Sequence, residues 1–389
     1  MSQIRTIFLI VETPLRERDL GRYGISNLAT QFDVRVIDCT QWLRPEYWAR
    51  YSEDRYKFQG CISVANWMEF IAQFNIAPNH SIVIDYLLDR KGLNDDIRQW
   101  LRSNKYPMVV VFTGVIPNFK FRGLALIRNK IGKVRDVGII LSHRLQRVFP
   151  FYRPSVLLAD IAILSGKASL RKPRANAPAK IWTHSFDYDK FLTLRNGFSG
   201  KTGYVVFLDQ NLVYHPDLVI TGSIRCTTAQ EYFPALNLFF DNFESITGLR
   251  VIIAAQPKSD YSPYPNLFGG REVVHGKTAE LVRDSELVFA HYSTAISFAV
   301  LWAKPVVILT SNSILLSWAM PYIRGFRDAL GANLINVNAC NINDNLIEDW
   351  KKISLKAYNE YKLKYIKTPN SLDKPIWNQF MDYINERFK

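Results

Sequence analysis

The stretch Glu286 to Asn312, ELVFAHYSTAISFAVLWAKPVVILTSN, decides the fold. An apolar strand ends in His291, Tyr292, Ser293 and Thr294, a helix opens directly behind it, and a second apolar strand runs from Pro305 to Leu309. Strand, hydroxyl-rich turn, helix and strand in that order make half of a doubly wound sheet. The turn aims helical N–H groups and the Ser293 and Thr294 hydroxyls at one point, an arrangement that attracts phosphate. Alone, Ser293 or Thr294 would do no more than cap the helix.

The rest of the chain repeats the pattern. Short apolar runs alternate with helical spacing, the signature of βα units and a parallel sheet. A first series predicts strands at Thr6 to Val11, Val34 to Ile37, Ser81 to Ile84, Met108 to Phe112, Ile161 to Leu164 and Lys180 to Trp182, with helices around Ile25 to Phe32, Ala65 to Phe74 and Asp95 to Leu101. A second series predicts strands at Tyr204 to Leu208, Val251 to Ala254, Val273 to Val274, Leu287 to Ala290, Val306 to Leu309 and Leu334 to Val337. Its strongest helix spans Thr228 to Thr247, where Thr228 and Glu231 form a capping box and Gly248 supplies the stop. The Gly-rich RNGFSGKT at Arg195 to Thr202 marks the boundary between the series.

The expected fold class is therefore α/β, with two doubly wound, Rossmann-like domains facing a cleft. The first domain is placed at 1–198 and the second at 199–368, with a C-terminal helix at 369–389 that packs back on the first. A length of 389 residues suits two such cores. A hydrophobic content of 48% with 22% charged residues is that of a folded chain rather than a disordered one. The formal charge of +14 implies anionic company: nucleic acid, an acidic membrane leaflet or phosphorylated substrates. Zinc-binding spacings, aromatic RNA-binding motifs and a basic zipper are all absent, so no nucleic-acid partner is expected. Cys39, Cys61, Cys226 and Cys340 are scattered without pairing, which fits a reducing compartment. No apolar run reaches the roughly twenty residues of a membrane span, so membrane contact would be peripheral.

Ligands of doubly wound sheets bind beyond the carboxyl ends of the strands. Several polar residues follow such ends here. Gln256 and Lys258 follow Val251 to Ala254, and the Lys258 ammonium could neutralise a phosphate. Gly276 and Lys277 follow Val273 to Val274, with Gly276 letting a backbone approach a base or ribose. Asp209 and His215 follow Tyr204 to Leu208, Asp209 either bonding a sugar hydroxyl or capping a turn. His291 follows Leu287 to Ala290, as a packed core residue or a ligand contact.

With those residues in place, the second half resembles the nucleotide-sugar-binding domain of GT-B-fold glycosyltransferases, in particular bacterial surface-polysaccharide enzymes similar to sialyltransferases and Kdo transferases that use CMP-activated sugars. Such enzymes present a His-Pro element and a Ser-Ser/Thr element to the donor. Ser293 and Thr294 match the second, and the first has two candidates, His215-Pro216 and Gln256-Pro257. The resemblance implies a nucleotide-sugar co-substrate, no other cofactor, and a carboxylate of the first domain as general base. Asp85, ending Ile82 to Asp85, is preferred over Glu12; either residue would otherwise cap the next helix. No acidic pair ends a strand of the second series, so no metal is expected, and charge stabilisation falls to Lys258, Ser293, Thr294 and helix N-termini.

Phe119 to Arg135, FKFRGLALIRNKIGKVR, interleaves Lys120, Arg122, Arg128, Lys130, Lys133 and Arg135 with apolar residues. Helices that lie on anionic membranes have this composition, and so do solvated helix faces. The expected function is a metal-independent glycosyltransferase, cytoplasmic and peripheral on the inner face of the membrane, extending a cell-surface glycan such as lipopolysaccharide or capsule on a glycan or lipid-linked acceptor. A nucleotide-sugar epimerase, a polyol-phosphate transferase and a non-catalytic scaffold of the same fold are the alternatives.

Overall fold

The central strands of the first series are runs of apolar residues rather than an alternation, and such strands lie in parallel sheets covered on both faces. In the computed structural model, which describes residues 3–53, 55–89, 92–118, 159–197, 203–218, 224–264 and 266–388, the strands of this series form a seven-stranded parallel sheet of order β3-β2-β1-β4-β5-β6-β7. The strands are β1 (Thr6–Val11), β2 (Asp33–Asp38), β3 (Cys61–Ser63), β4 (Ser81–Asp85), β5 (Met108–Phe112), β6 (Ile161–Leu164) and β7 (Ala179–Trp182). All six residues of β1 are buried, packed on one face with Leu28 and Val36 and on the other with Phe70 and Leu101.

The second series forms a six-stranded parallel sheet of order β10-β9-β8-β11-β12-β13. It contains β8 (Tyr204–Leu208), β9 (Arg250–Ala254), β10 (Val273–Val274), β11 (Val288–Ala290), β12 (Val306–Thr310) and β13 (Asn333–Asn336). Helix Ala229–Thr247 begins and ends as its sequence predicts: the Thr228 side chain accepts from the Glu231 amide, and Gly248 closes it at φ 68°. The basic stretch from Lys120 to Arg135 lies outside the described residues. Among the described residues no helix is long and apolar enough to cross a membrane.

Strand order reverses between β1 and β4 in one sheet and between β8 and β11 in the other. At each reversal the crossover helices leave in opposite directions, which opens a crevice at the carboxyl ends. The two crevices face each other.

The chain then returns to where it began. After helix Leu355–Tyr361 and the wide turn Lys362–Ile366, Lys367 pairs with His184, and helix Ile376–Arg387 buries Trp377, Phe380, Met381 and Ile384 against Ile4, Leu28 and Val34 of the first lobe. Two glycines admit this strap. A Cβ on Gly166 would collide with the Lys364 backbone, and one on Gly24, at φ 71°, would collide with the Trp377 ring. Trp377→Ala empties a fully enclosed site and should cost about 3–5 kcal/mol of stability. Leu372→Ala, at an exposed position of the same strap, should stay within about 0.5 kcal/mol. Paired thermal melts decide the comparison.

Candidate functional site

The facing crevices join in one cleft of about 730 Å3. Its walls are the residues that follow the switch-point strands: Val11 to Thr13 after β1, Tyr86 and Leu88 after β4, Leu208 to Gln210 after β8, and Tyr292 to Ala295 after β11. Next to β8, the end of β9 adds Ala254 to Lys258. Asp209, His215, Gln256, Lys258, Ser293 and Thr294 all line the cleft.

The second lobe arranges four of its residues as one network. Lys258 Nζ stands 2.9 Å from the Asp217 carboxylate, and the Lys258 amide donates to Gln256 Oε1 at 2.5 Å. His215 Nδ1 accepts from the Asp217 amide at 3.0 Å, and its Nε2 lies 3.0 Å from the Gln256 amide nitrogen. Burial lowers the His215 pKa, with Asp217 opposing the shift. The two candidates for a His-Pro element are thus neighbours in a single cluster. Deeper in, Asp209 accepts from the Tyr261 hydroxyl and, at 3.0 Å, from the Asn211 amide, so it holds the β8 turn. The Ser293 hydroxyl accepts from the Ala295 amide at 3.2 Å, and the Tyr292 amide donates to Gln210 Oε1 at 3.0 Å. Thr294 is exposed to the cleft.

The first lobe supplies Glu12, Arg18, Asp19, Arg22, Tyr23 and Tyr86. Glu12 reaches the cleft wall, yet its oxygens already meet Arg44 at 2.5 Å, the Leu88 amide at 2.5 Å and Asn94 at 3.2 Å. Arg18 comes from helix Glu17–Arg22. Burial lowers its pKa, Asp19 at 3.5 Å only partly offsets that, and Nε is buried without a hydrogen-bond partner among the described residues. A guanidinium so placed is ready for an anion.

Three expectations need correction. Asp85 does not face the cleft: it is 5% exposed and clamped between Arg98 at 2.8 Å and Arg174 at 2.6 Å. Burial would raise its pKa, and the two guanidiniums, Arg174 foremost, bring it below the ordinary carboxylate value. His291 is fully buried, its Nδ1 donating to the Leu309 carbonyl at 2.8 Å and its Nε2 accepting from Tyr232 at 2.7 Å. Burial lowers its pKa to about 4, so the ring is a neutral strut between elements. Gly276 and Lys277 are exposed and absent from the cleft wall, because β10 is the sheet edge, two strands from the switch. Gly276 sits at φ 73° with open space around it, as a turn residue does.

The sequence reading missed Arg18, Arg22, Tyr23, Tyr86 and Asp187, all of which line the cleft. The first-lobe arginines belong to a six-residue polar helix with no apolar period to reveal it. An arginine pair four apart, just beyond a switch-point strand, was the available signal. No group of three His, Cys, Asp or Glu among the described residues is placed to hold a metal.

Fold and cleft together define the class: two parallel-sheet α/β lobes of GT-B type. No protein-family model matches the sequence, and no curated protein matches it. Solved structures do. The chain is similar to a protein from Listeria monocytogenes assigned as a UDP-N-acetylglucosamine 2-epimerase, with a TM-score of 0.52 and 13% identity over 100% of this chain and 97% of that one. It is similar to a variant of the wall teichoic acid polymerase TagF at a TM-score of 0.53 and 11% identity, over 99% of this chain and 89% of that one. These likenesses show the fold, which transferases and epimerases share.

The Asp85 cluster makes a prediction of its own. A carboxylate whose folded pKa is depressed stabilises above its unfolded value and loses that contribution as pH falls toward the folded one. Removing one partner of a buried ion pair costs about 3–5 kcal/mol. Asp85→Asn should therefore destabilise the protein by about that much at pH 7, with the gap from wild type narrowing in denaturant melts below about pH 4.

Proposed function

We propose that this chain is a glycosyltransferase that moves a sugar from a nucleotide-activated donor onto a growing cell-surface glycan. The observation that carries the reading is the shared cleft, with a hydroxyl, amide and cation cluster on the second lobe opposite arginines of the first. In this reading Ser293, Thr294 and Lys258 meet the donor phosphate, which displaces Asp217 from Lys258 as it binds. Arg18 approaches the same anion from the other lobe. Leaving-phosphate charge is met by these donors, so the reaction is proposed to be metal-independent. The acceptor is proposed to be a glycan or a lipid-linked sugar, and the protein to be cytoplasmic and peripheral on an anionic membrane face.

An epimerase of this fold is disfavoured by the cleft's own chemistry. Inverting one carbon requires acid and base groups on both faces of the sugar. Of the five carboxylates that line the cleft, Glu12, Asp19, Asp209 and Asp217 are engaged by amides, hydroxyls or cations, which leaves Asp187 as one group where an epimerase needs two. The likeness to a wall teichoic acid polymerase supports a second reading, transfer of a polyol phosphate through the same site.

A thermal-shift panel of CMP, UDP, GDP, TDP and their sugars tests the donor. A nucleotide at a hundred times its dissociation constant stabilises by about 2.7 kcal/mol, and CMP compounds are expected to give the largest shift. Ser293→Ala should diminish it, and EDTA should leave donor turnover unchanged. No shift from any nucleotide would overturn the proposal.

A further inference from the structure

Five carboxylates line the cleft: Glu12, Asp19, Asp187, Asp209 and Asp217. Four are committed. Glu12 is held by Arg44 and the Leu88 amide, Asp19 by the Arg16 amide at 3.0 Å, Asp209 by Tyr261 and the Asn211 amide, and Asp217 by Lys258. Asp187 differs. It stands in the first turn of helix Phe186–Leu194, half-buried on the cleft wall and beside Ser297 of the neighbouring helix Ile296–Leu301. A hydroxyl turns to donate to an ionised carboxylate or to accept from a neutral one, so this contact suits both states.

We propose that Asp187 is the general base of the cleft, taking the proton of the acceptor hydroxyl during transfer from a nucleotide-activated donor. The inference rests on the transferase reading and deepens it. As the acceptor oxygen bonds to the donor's anomeric carbon, its O–H bond breaks and the proton passes to an Asp187 oxygen. The bond from that carbon to the leaving phosphate oxygen breaks with its electron pair, and the nucleotide departs as an anion. Asp187 then returns the proton to solvent.

Its surroundings tune it for that role. Burial raises the Asp187 carboxyl to about 7, while Arg22, whose guanidinium lies over the adjacent Phe186 ring, and the Ser297 hydroxyl pull it back down. Tyr361, near the same Ser297, is held neutral by burial and by the nearby carboxylate. A base is most effective when its pKa lies near the working pH.

The test compares wild type, Asp187→Asn, Asp187→Glu and Arg22→Gln for hydrolysis of CMP-, UDP-, GDP- and TDP-linked sugars without acceptor, alongside calorimetric binding of the free nucleotides. Asp187→Asn, which keeps the shape and the contact to Ser297, should lower turnover about 10²–10⁴-fold with nucleotide affinity unchanged, and Asp187→Glu should recover part of it. The wild-type rate should rise with pH through about 7, and Arg22→Gln should move that limb to higher pH. Carboxyl ¹³C titration should show a signal near the same pH that disappears in Asp187→Asn, distinct from the Asp189 signal, which remains. Wild-type turnover in Asp187→Asn, or a carboxyl titrating near 4, overturns the assignment while leaving the transferase reading intact. Failure of every nucleotide to bind wild type overturns both.

Discussion

The Trp377 indole in the first lobe is the contact on which the cleft depends. Its ring occupies the space that Gly24 leaves open, and its Nε1 donates to the Arg22 carbonyl at 3.1 Å. Arg22 ends the short helix that carries Arg18 and Asp19 into the cleft. A six-residue helix has little stability of its own, since nucleation costs more than one turn returns. The last helix of the chain therefore fixes the helix that brings Arg18, Asp19 and Arg22 to the cleft. The strap that delivers Trp377 comes from the second lobe, so the same contact ties the lobes together across their opening.

Buried charge supports the β4 end of the same lobe in a comparable way. Asp85 sits beneath the cleft, and its partner Arg98 also donates to the Leu87 and Leu88 carbonyls at 2.8 and 3.2 Å. That turn returns an amide to Glu12. A buried ion pair is weak evidence for stability, because desolvation consumes most of the attraction. Its effect here is geometric: Asp85 acts on the cleft through Arg98, by fixing the loop that shapes the wall. A carboxylate at a strand end pointed to the correct strand and the correct end, and the long side chains of Arg98, thirteen residues later, and of Arg174 hold it in the core.

Every strand of both sheets except β3 is legible in the sequence, because most are runs of apolar residues covered on both faces, and helix Ala229–Thr247 announces itself by its cap and its glycine stop. From the strand runs alone the cleft can be placed at the carboxyl ends, and Asp209, Gln256, Lys258, Ser293 and Thr294 are found there. Strand order was not legible. It separates Gln256, beside the switch-point strand, from Gly276 and Lys277 at the sheet edge, although all three follow strands in the same manner. Helices Glu17–Arg22 and Phe186–Leu194 were missed because each is short and polar on its cleft side, and they carry Arg18, Arg22 and Asp187. The part of a site supplied by regular structure leaves a periodic trace, and the part supplied by packing between lobes does not.

Helix Phe186–Leu194 concentrates a conflict between stability and chemistry. Burial raises both Asp187 and Asp189 to about 7, with Arg22 opposing it at the first and the Ile376 amide at the second. In the unfolded chain each would titrate near 4. A carboxyl that holds its proton more tightly when folded stabilises below the unfolded pKa, and that contribution is lost as pH rises through the folded value. Asp189 accepts from Ile376, the first residue of the strap helix, so charge on it is felt where the lobes are joined. Asp187 can take a proton only when ionised. The same rise in pH that readies the cleft for transfer thus weakens the helix presenting it, and the first-turn position, where the helix dipole favours negative charge, limits the cost.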